Sequence, residues 1–242
     1  MNAGALETPF NYRVRESRRA RQVCLRVTPE HGLEVVVPLG FNPTRIPALL
    51  AHKQRWIHSA LERAARRRAL LGADLPWALP AEIHLTALDQ RWLVLAQSVE
   101  PARVTLREHG PQSLRVRGRI DDEAACRHAL LAWLRRQAQR HLTPQLHALS
   151  HETALAFQRV SFRHQRTRWG SCSRHGAISL NAKLLFLPPS LVRYVMAHEL
   201  CHRKHMNHSA RFWALLERHH PGARADDRAL RQAWQLIPRW AG

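Results

Sequence analysis

The chain has 242 residues, 45% of them apolar, and a formal charge of +20 from 38 basic and 18 acidic side chains. That length holds one large or two small domains with a core, and nothing beyond the first nine residues reads as disordered. No apolar run approaches the ~18 residues of a membrane-spanning helix, no leader peptide is visible, and the four cysteines are scattered without a CxxC pair. The expectation is a reduced, cytoplasmic protein with no membrane partner.

Thirty-five of the 38 basic residues are Arg. GC-rich codon usage accounts for Arg over Lys, but not for the excess of bases over acids. A pI near 11.6 keeps nucleic acid and other polyanions among the partners to consider. The Arg-rich runs at 13–21, 63–68 and 135–140 lie on different segments and outline no single groove.

In chain order, residues 11–17, 21–28 and 33–38 alternate like strands, with a hairpin turn at His31-Gly32. Asn42-Pro43 reads as a helix cap and first helical residue, starting a helix or helix pair that ends at Gly72. Pro76 to Pro80 reads as a linker. Strand-like runs follow at 82–86, 91–96, 103–107 and 113–118. Asp121-Asp122-Glu123 opens a long helix to about His147, its acids matching the helix dipole, with Pro144 kinking or shortening the last turn. Strands at 157–163 and 177–181 flank a loop, Arg168-Trp169-Gly170-Ser171-Cys172. The last third holds a helix starting near Pro188, a return helix and a short helix from about Asp227. The pattern is α+β, divided into a β-rich N-terminal domain over 1–120 with a helical segment near 43–71, and a helical catalytic domain with a small sheet over 121–242.

The chemistry concentrates at His198-Glu199-Leu200-Cys201-His202, an HExxH pentapeptide. Positions i and i+4 share a helix face, so His198 and His202 aim two imidazoles at one metal ion and Glu199 stands beside the first as a general base. Leu191, Val192, Val195 and Met196 give this segment the spacing of a buried helix. A third ligand is needed. His205 would extend one stripe to about 10 Å, too long to converge on one ion. His208 is better placed, because Met206-Asn207 breaks the helix and Asn207 or Ser209 caps a new one through Phe212, Leu215 and Leu216. Cys172 and Cys201 lie nearby and read as small apolar residues rather than ligands.

Arg168-Trp169-Gly170-Ser171-Cys172, Ile178-Ser179-Leu180-Asn181, Tyr194-Val195 before HExxH, Asn207-His208-Ser209 and Phe212-Trp213 together resemble the YgjP-like predicted metal-dependent hydrolases, relatives of SprT-like and minigluzincin-type zinc metallopeptidases. A weaker likeness runs from Tyr12 through Val35-Val36-Val37-Pro38 to Lys53, Trp56 and Ile57. The resemblance implies a zincin-like catalytic domain, one Zn2+ per chain at His198, His202 and His208, and Glu199 as base. Members are usually called metallopeptidases, and nucleotide phosphohydrolysis has also been proposed within the family.

The leading expectation is zinc-dependent hydrolysis of a peptide bond in a protein or peptide substrate, with Glu199 moving the proton. Arg168, Asn181 and Tyr194 are candidate oxyanion donors, Trp169-Gly170 a cleft wall, and the Ile178–Asn181 strand a pairing edge for substrate. One alternative is a metal-dependent nucleoside triphosphate phosphohydrolase using the arginines as phosphate clamps; the absence of a Gly-rich phosphate loop counts against it. Another is a non-catalytic basic module with structural zinc that associates with nucleic acid; Glu199 has no purpose there.

Overall fold

The computed structural model describes residues 10–28, 32–70, 77–99 and 103–242, with the side chains of 66–70 excepted. The expected turn residue His31, the helix end at Gly72, Pro76 of the linker and the first nine residues lie outside these. The chain divides into two compact units, Met1–Pro76 and Trp77–Gly242.

In the first unit, β1 (Tyr12–Glu16), β2 (Cys24–Thr28) and β3 (Gly32–Val37) form a sheet ordered β1-β3-β2. β3 is central because its Leu33, Val35 and Val37 point inward at alternate positions. It runs parallel to β1 and antiparallel to β2, the expected hairpin pairing. The Asn42 side chain accepts from the Thr44 amide and caps a 3-10 turn at Pro43–Arg45. That turn leads into α1 (Ile46–His52) and α2 (Gln54–Leu70), whose Ile46, Leu50 and Ile57 close the core over β3.

The second unit begins where the linker was expected. Strands β4 (Glu82–Leu85), β5 (Gln90–Ser98), β6 (Thr105–Glu108) and β7 (Ser113–Gly118) form a sheet ordered β4-β5-β7-β6. Its buried Ile83, Leu85, Trp92, Val94, Leu114 and Val116 share one core with the long helix α3 (Glu123–Thr153). Trp92 meets Trp133 edge to face, ring centroids 5.3 Å apart. The expected division at residue 120 therefore falls inside a single unit: this sheet and α3 bury each other's apolar faces. Pro144 does not end α3. The helix runs on to Thr153 because Leu142, Leu146 and Leu149 continue its buried stripe past the missing amide donor. It stops where Ala154 turns left-handed at φ 54°.

A second three-stranded sheet carries the site: β8 (Arg159–Arg163), β9 (Gly170–Cys172) and β10 (Ala177–Asn181), ordered β8-β10-β9. β8 runs parallel to β10 and β9 antiparallel to it. Most of the expected RWGSC loop is thus the edge strand β9, too short at three residues to show a period of two. β10, expected to offer an edge, is central, with both sides already paired. Helices α4 (Pro189–Cys201), α5 (Ala210–His219) and α6 (Ala223–Gln232) complete the unit. α6 starts four residues before the expected Asp227, after Gly222 at φ 86°. α4 packs against α3, α5, α6 and β9, so the HExxH helix lies at the centre of the unit. Among the described residues six helices and three small mixed sheets make the fold α+β. Among the described residues no helix is long and apolar enough to cross a membrane.

Candidate metal centre

α4 starts at Pro189 and ends at Cys201, so His202 is its C-cap and keeps helical backbone angles. Both histidines of the pentapeptide therefore stay on one face. The chain turns through residues 203–205, and Ser209 caps α5 by accepting from the Phe212 amide. His208, one residue before that cap, folds back over the first pair. His198, His202 and His208 each offer a ring nitrogen within 4.8 Å of the others, and His208 Nε2 lies 3.0 Å from His198 Nε2. His205 stays outside the cluster. Its backbone carbonyl takes the hydrogen bond from His202 Nδ1 at 3.0 Å, which leaves Nε2 of His202 with its lone pair free.

Phe212 is the shared floor of the three rings, with centroids 4.8 to 4.9 Å from each. It is fully buried one turn after His208. Burial, followed by the neighbouring His202 and His208, pushes the His198 pKa down to about 3, and burial also lowers that of His202. These imidazoles are neutral near pH 7, the state a metal ligand requires. Two ligand nitrogens at the ~2.05 Å of a zinc bond stand roughly 3.3 Å apart in a tetrahedral site. The observed donor set fits a zinc-like cation on both geometry and charge.

Glu199 is 5% exposed, and its Oε2 has no hydrogen-bond partner among the described residues. Burial raises its pKa to about 8, against the pull of Arg168. A cation held by the histidines beside it would favour the carboxylate and bring that value down. Glu199 owes its seat to Gly170: a Cβ there would lie 2.5 Å from Glu199 Oε1. Trp169 stacks on Trp234 at 4.0 Å and, with Gly170, Tyr194, His198 and Glu199, walls a cavity of about 170 Å3.

The expected oxyanion donors separate. Asn181 is fully buried and spends both its amide hydrogens on the carbonyls of Gln165 and Arg168, so it pins the β8–β9 loop and has no donor left for substrate. Tyr194 donates its hydroxyl proton to Asp227 Oδ1 at 3.1 Å and presents its oxygen to His198 Nδ1 at 3.5 Å. Burial first and Asp227 second raise the Tyr194 pKa well above its usual value, so it stays a phenol. Although burial opposes it, hydrogen bonds from Arg231 and Tyr194 hold the Asp227 carboxyl below its usual value. An Asp227–Tyr194–His198 chain thus orients the first imidazole. Only Arg168, exposed and close enough to pull on Glu199, remains as a candidate donor. Cys201 is buried, its thiol pushed up to about 12, and Cys172 is half-buried; neither joins the cluster.

Nothing local in the sequence marks Asp227 as a site residue. Its partner Tyr194 is 33 positions away, and an acid among the arginines of α6 looks like any solvated face.

The YgjP-like metallopeptidase domain matches residues 21–233, nearly the whole chain and both units. The chain belongs to the YgjP-like family. Family membership makes it a metal-dependent hydrolase of metallopeptidase type, with a divalent metal as its cofactor. Comparisons with curated proteins and with solved structures return no match.

Proposed function

We propose that this YgjP-like chain is a zinc-dependent peptidase that cuts extended polypeptide segments at the His198–His202–His208 centre, with Glu199 as general base. The observation that carries this reading is the pairing of the imidazole cluster with a buried, unpartnered carboxylate beside an open strand edge. When bound, zinc supplies Lewis acidity and lowers the pKa of water towards ~7. Glu199 takes a proton from the attacking water as it adds to the scissile carbonyl. It then passes that proton to the amine nitrogen as the C–N bond breaks, giving a carboxylate and an amine. Arg168 stands nearby as a donor for the developing oxyanion.

Substrate pairing moves from β10 to β9. In the β9–β10 ladder the Asn181 amide bonds Trp169 and the Ser173 amide bonds Ala177, with Ser171 opposite Ser179. The amide and carbonyl groups of Gly170 and Cys172 therefore face the other way, and among the described residues no strand pairs with that edge. An extended peptide adding there would pass over Glu199.

Purified protein should carry near one zinc per chain, lost in His202→Ala. Glu199→Gln should keep the zinc and lose about 10²- to 10⁴-fold in hydrolysis of an unfolded protein substrate. A zinc-free wild type, or turnover of nucleoside triphosphates with none of peptides, would overturn the reading.

A further inference from the structure

The other face of the β8–β10–β9 sheet is also built for a ligand. A groove of about 870 Å3 runs over it. Ser161, Ser179 and Ser171 stand in register across the three strands and form its floor. Arg159 and Arg163 rise from β8, and Arg166 and Arg168 from the loop that follows. Among the described residues no acidic side chain lines the groove and none of the four guanidiniums has an ion-pair partner. At the floor, Ser179 Oγ and Gln165 Oε1 are shielded from solvent without a hydrogen-bond partner. Arg159, Arg163 and Arg166, with no acid among the described residues of the groove, and the Ser179 hydroxyl with an unspent donor call for an anionic occupant.

Edge strand β9 joins this groove to the metal centre. Gly170 faces Glu199 on the inner side of the sheet, and Ser171 faces the groove on the outer side. A peptide paired along β9 alternates its side chains in the same way, one towards Glu199 and the next over the groove. A peptide paired on the free edge of β9 lies three strand spacings from β8, about 14 Å, a span that a glutamate side chain and an extended arginine reach across together. We propose that the groove selects substrate segments with acidic side chains at alternate positions, those acids meeting the arginines while the residues between them face the centre. This deepens the peptidase reading and rests on it. Among the described residues the groove lining contains no aromatic ring on which a base could stack, which favours an acidic peptide over single-stranded nucleic acid.

The test uses the full-length, zinc-loaded Glu199→Gln chain, so that nothing is cut, and fluorescence anisotropy of labelled unstructured peptides. A peptide with Glu at alternate positions should bind more tightly than its Gln counterpart. Replacing Arg159→Gln and Arg163→Gln together should lower that preference about three- to tenfold at low salt, the range for two exposed pairs. Removing the same charge from α3, as Arg135→Gln with Arg136→Gln, should lower it less, because that pair lies outside the groove. Equal losses in the two double variants would overturn the proposal by assigning the preference to net charge. So would an oligonucleotide of equal charge that binds more tightly and displaces the peptide. Failure of the peptidase reading shows separately, as wild-type protein that cuts neither peptide.

Discussion

The two faces of the β8–β10–β9 sheet are written in the same few residues and do opposite things. Inward, Phe162, Ile178 and Leu180 are at most 7% exposed and join the core under α3 and α4. Outward, Arg159, Ser161, Arg163 and Ser179 line an open polar groove. At β9 the same alternation puts Gly170 against Glu199 and Ser171 in the groove. A strand's period of two therefore sets both the stability of this sheet and the position of its chemistry, and a slip of one residue would exchange the two. The inner face should respond to substitution through packing and geometry, the outer face through charge alone.

The largest effect is expected from Leu180→Ala. Leu180 is fully buried opposite both Phe162 and Gly170, and truncation leaves a cavity that neighbours on three elements cannot all close. A loss of about 2–5 kcal/mol in unfolding free energy is expected from denaturant titration; a loss under 1 kcal/mol would mean that the inner face is not packed as described. Next comes Gly170→Ala, which places a methyl where the Glu199 carboxylate sits. Zinc content should hold while kcat falls about 10²-fold, the scale for a reacting group displaced by about an ångström. Unchanged kcat would show that Glu199 moves aside freely and that its seat does not matter.

The sequence carried the local part of this arrangement. Spacing put His198 and His202 on one face, and the break before a Ser209 cap pointed to His208 over His205; these three are the imidazoles that cluster. It did not carry the parts made by distant contacts. Strand β9 is recognisable only by its pairing with β10, since three residues show no period. The sheet of β4 to β7 reads like the strands of the first unit, and only the shared core with α3 assigns it to the second. The arginine groove gathers residues 159–168, outside all three of the conspicuous Arg runs, because strand alternation rather than clustering in sequence brings them to one surface.

Asp227 is of that second kind, and its effect should be smaller. Asp227→Asn keeps the shape and weakens the acceptor that orients Tyr194 towards His198. Supporting residues of this sort change metal affinity by about 10- to 100-fold when lost, and one acting through a tyrosine should fall at the lower end. Competition with a zinc chelator measures it. A tenfold weaker zinc affinity with unaltered thermal stability is the expected pair of results; lower stability with unchanged affinity would make Asp227 a packing residue of α6 alone.

The smallest effect belongs to the outer face. Arg163→Ala removes one of four like charges around the groove, none of them held in an ion pair among the described residues. Losing it forfeits little packing and relieves repulsion, so unfolding free energy should change by less than about 0.5 kcal/mol. The change should be a slight gain at low salt. Arg159 lies four residues away on the same strand, about 13 Å at 3.3 Å per residue, which exceeds the ~8 Å screening length at physiological ionic strength. The gain should therefore appear near 10 mM salt and vanish by 150 mM. A loss above 1 kcal/mol at either salt would mean that Arg163 is held by contacts within the fold, and the two faces of the sheet would no longer divide into one that packs and one that only carries charge.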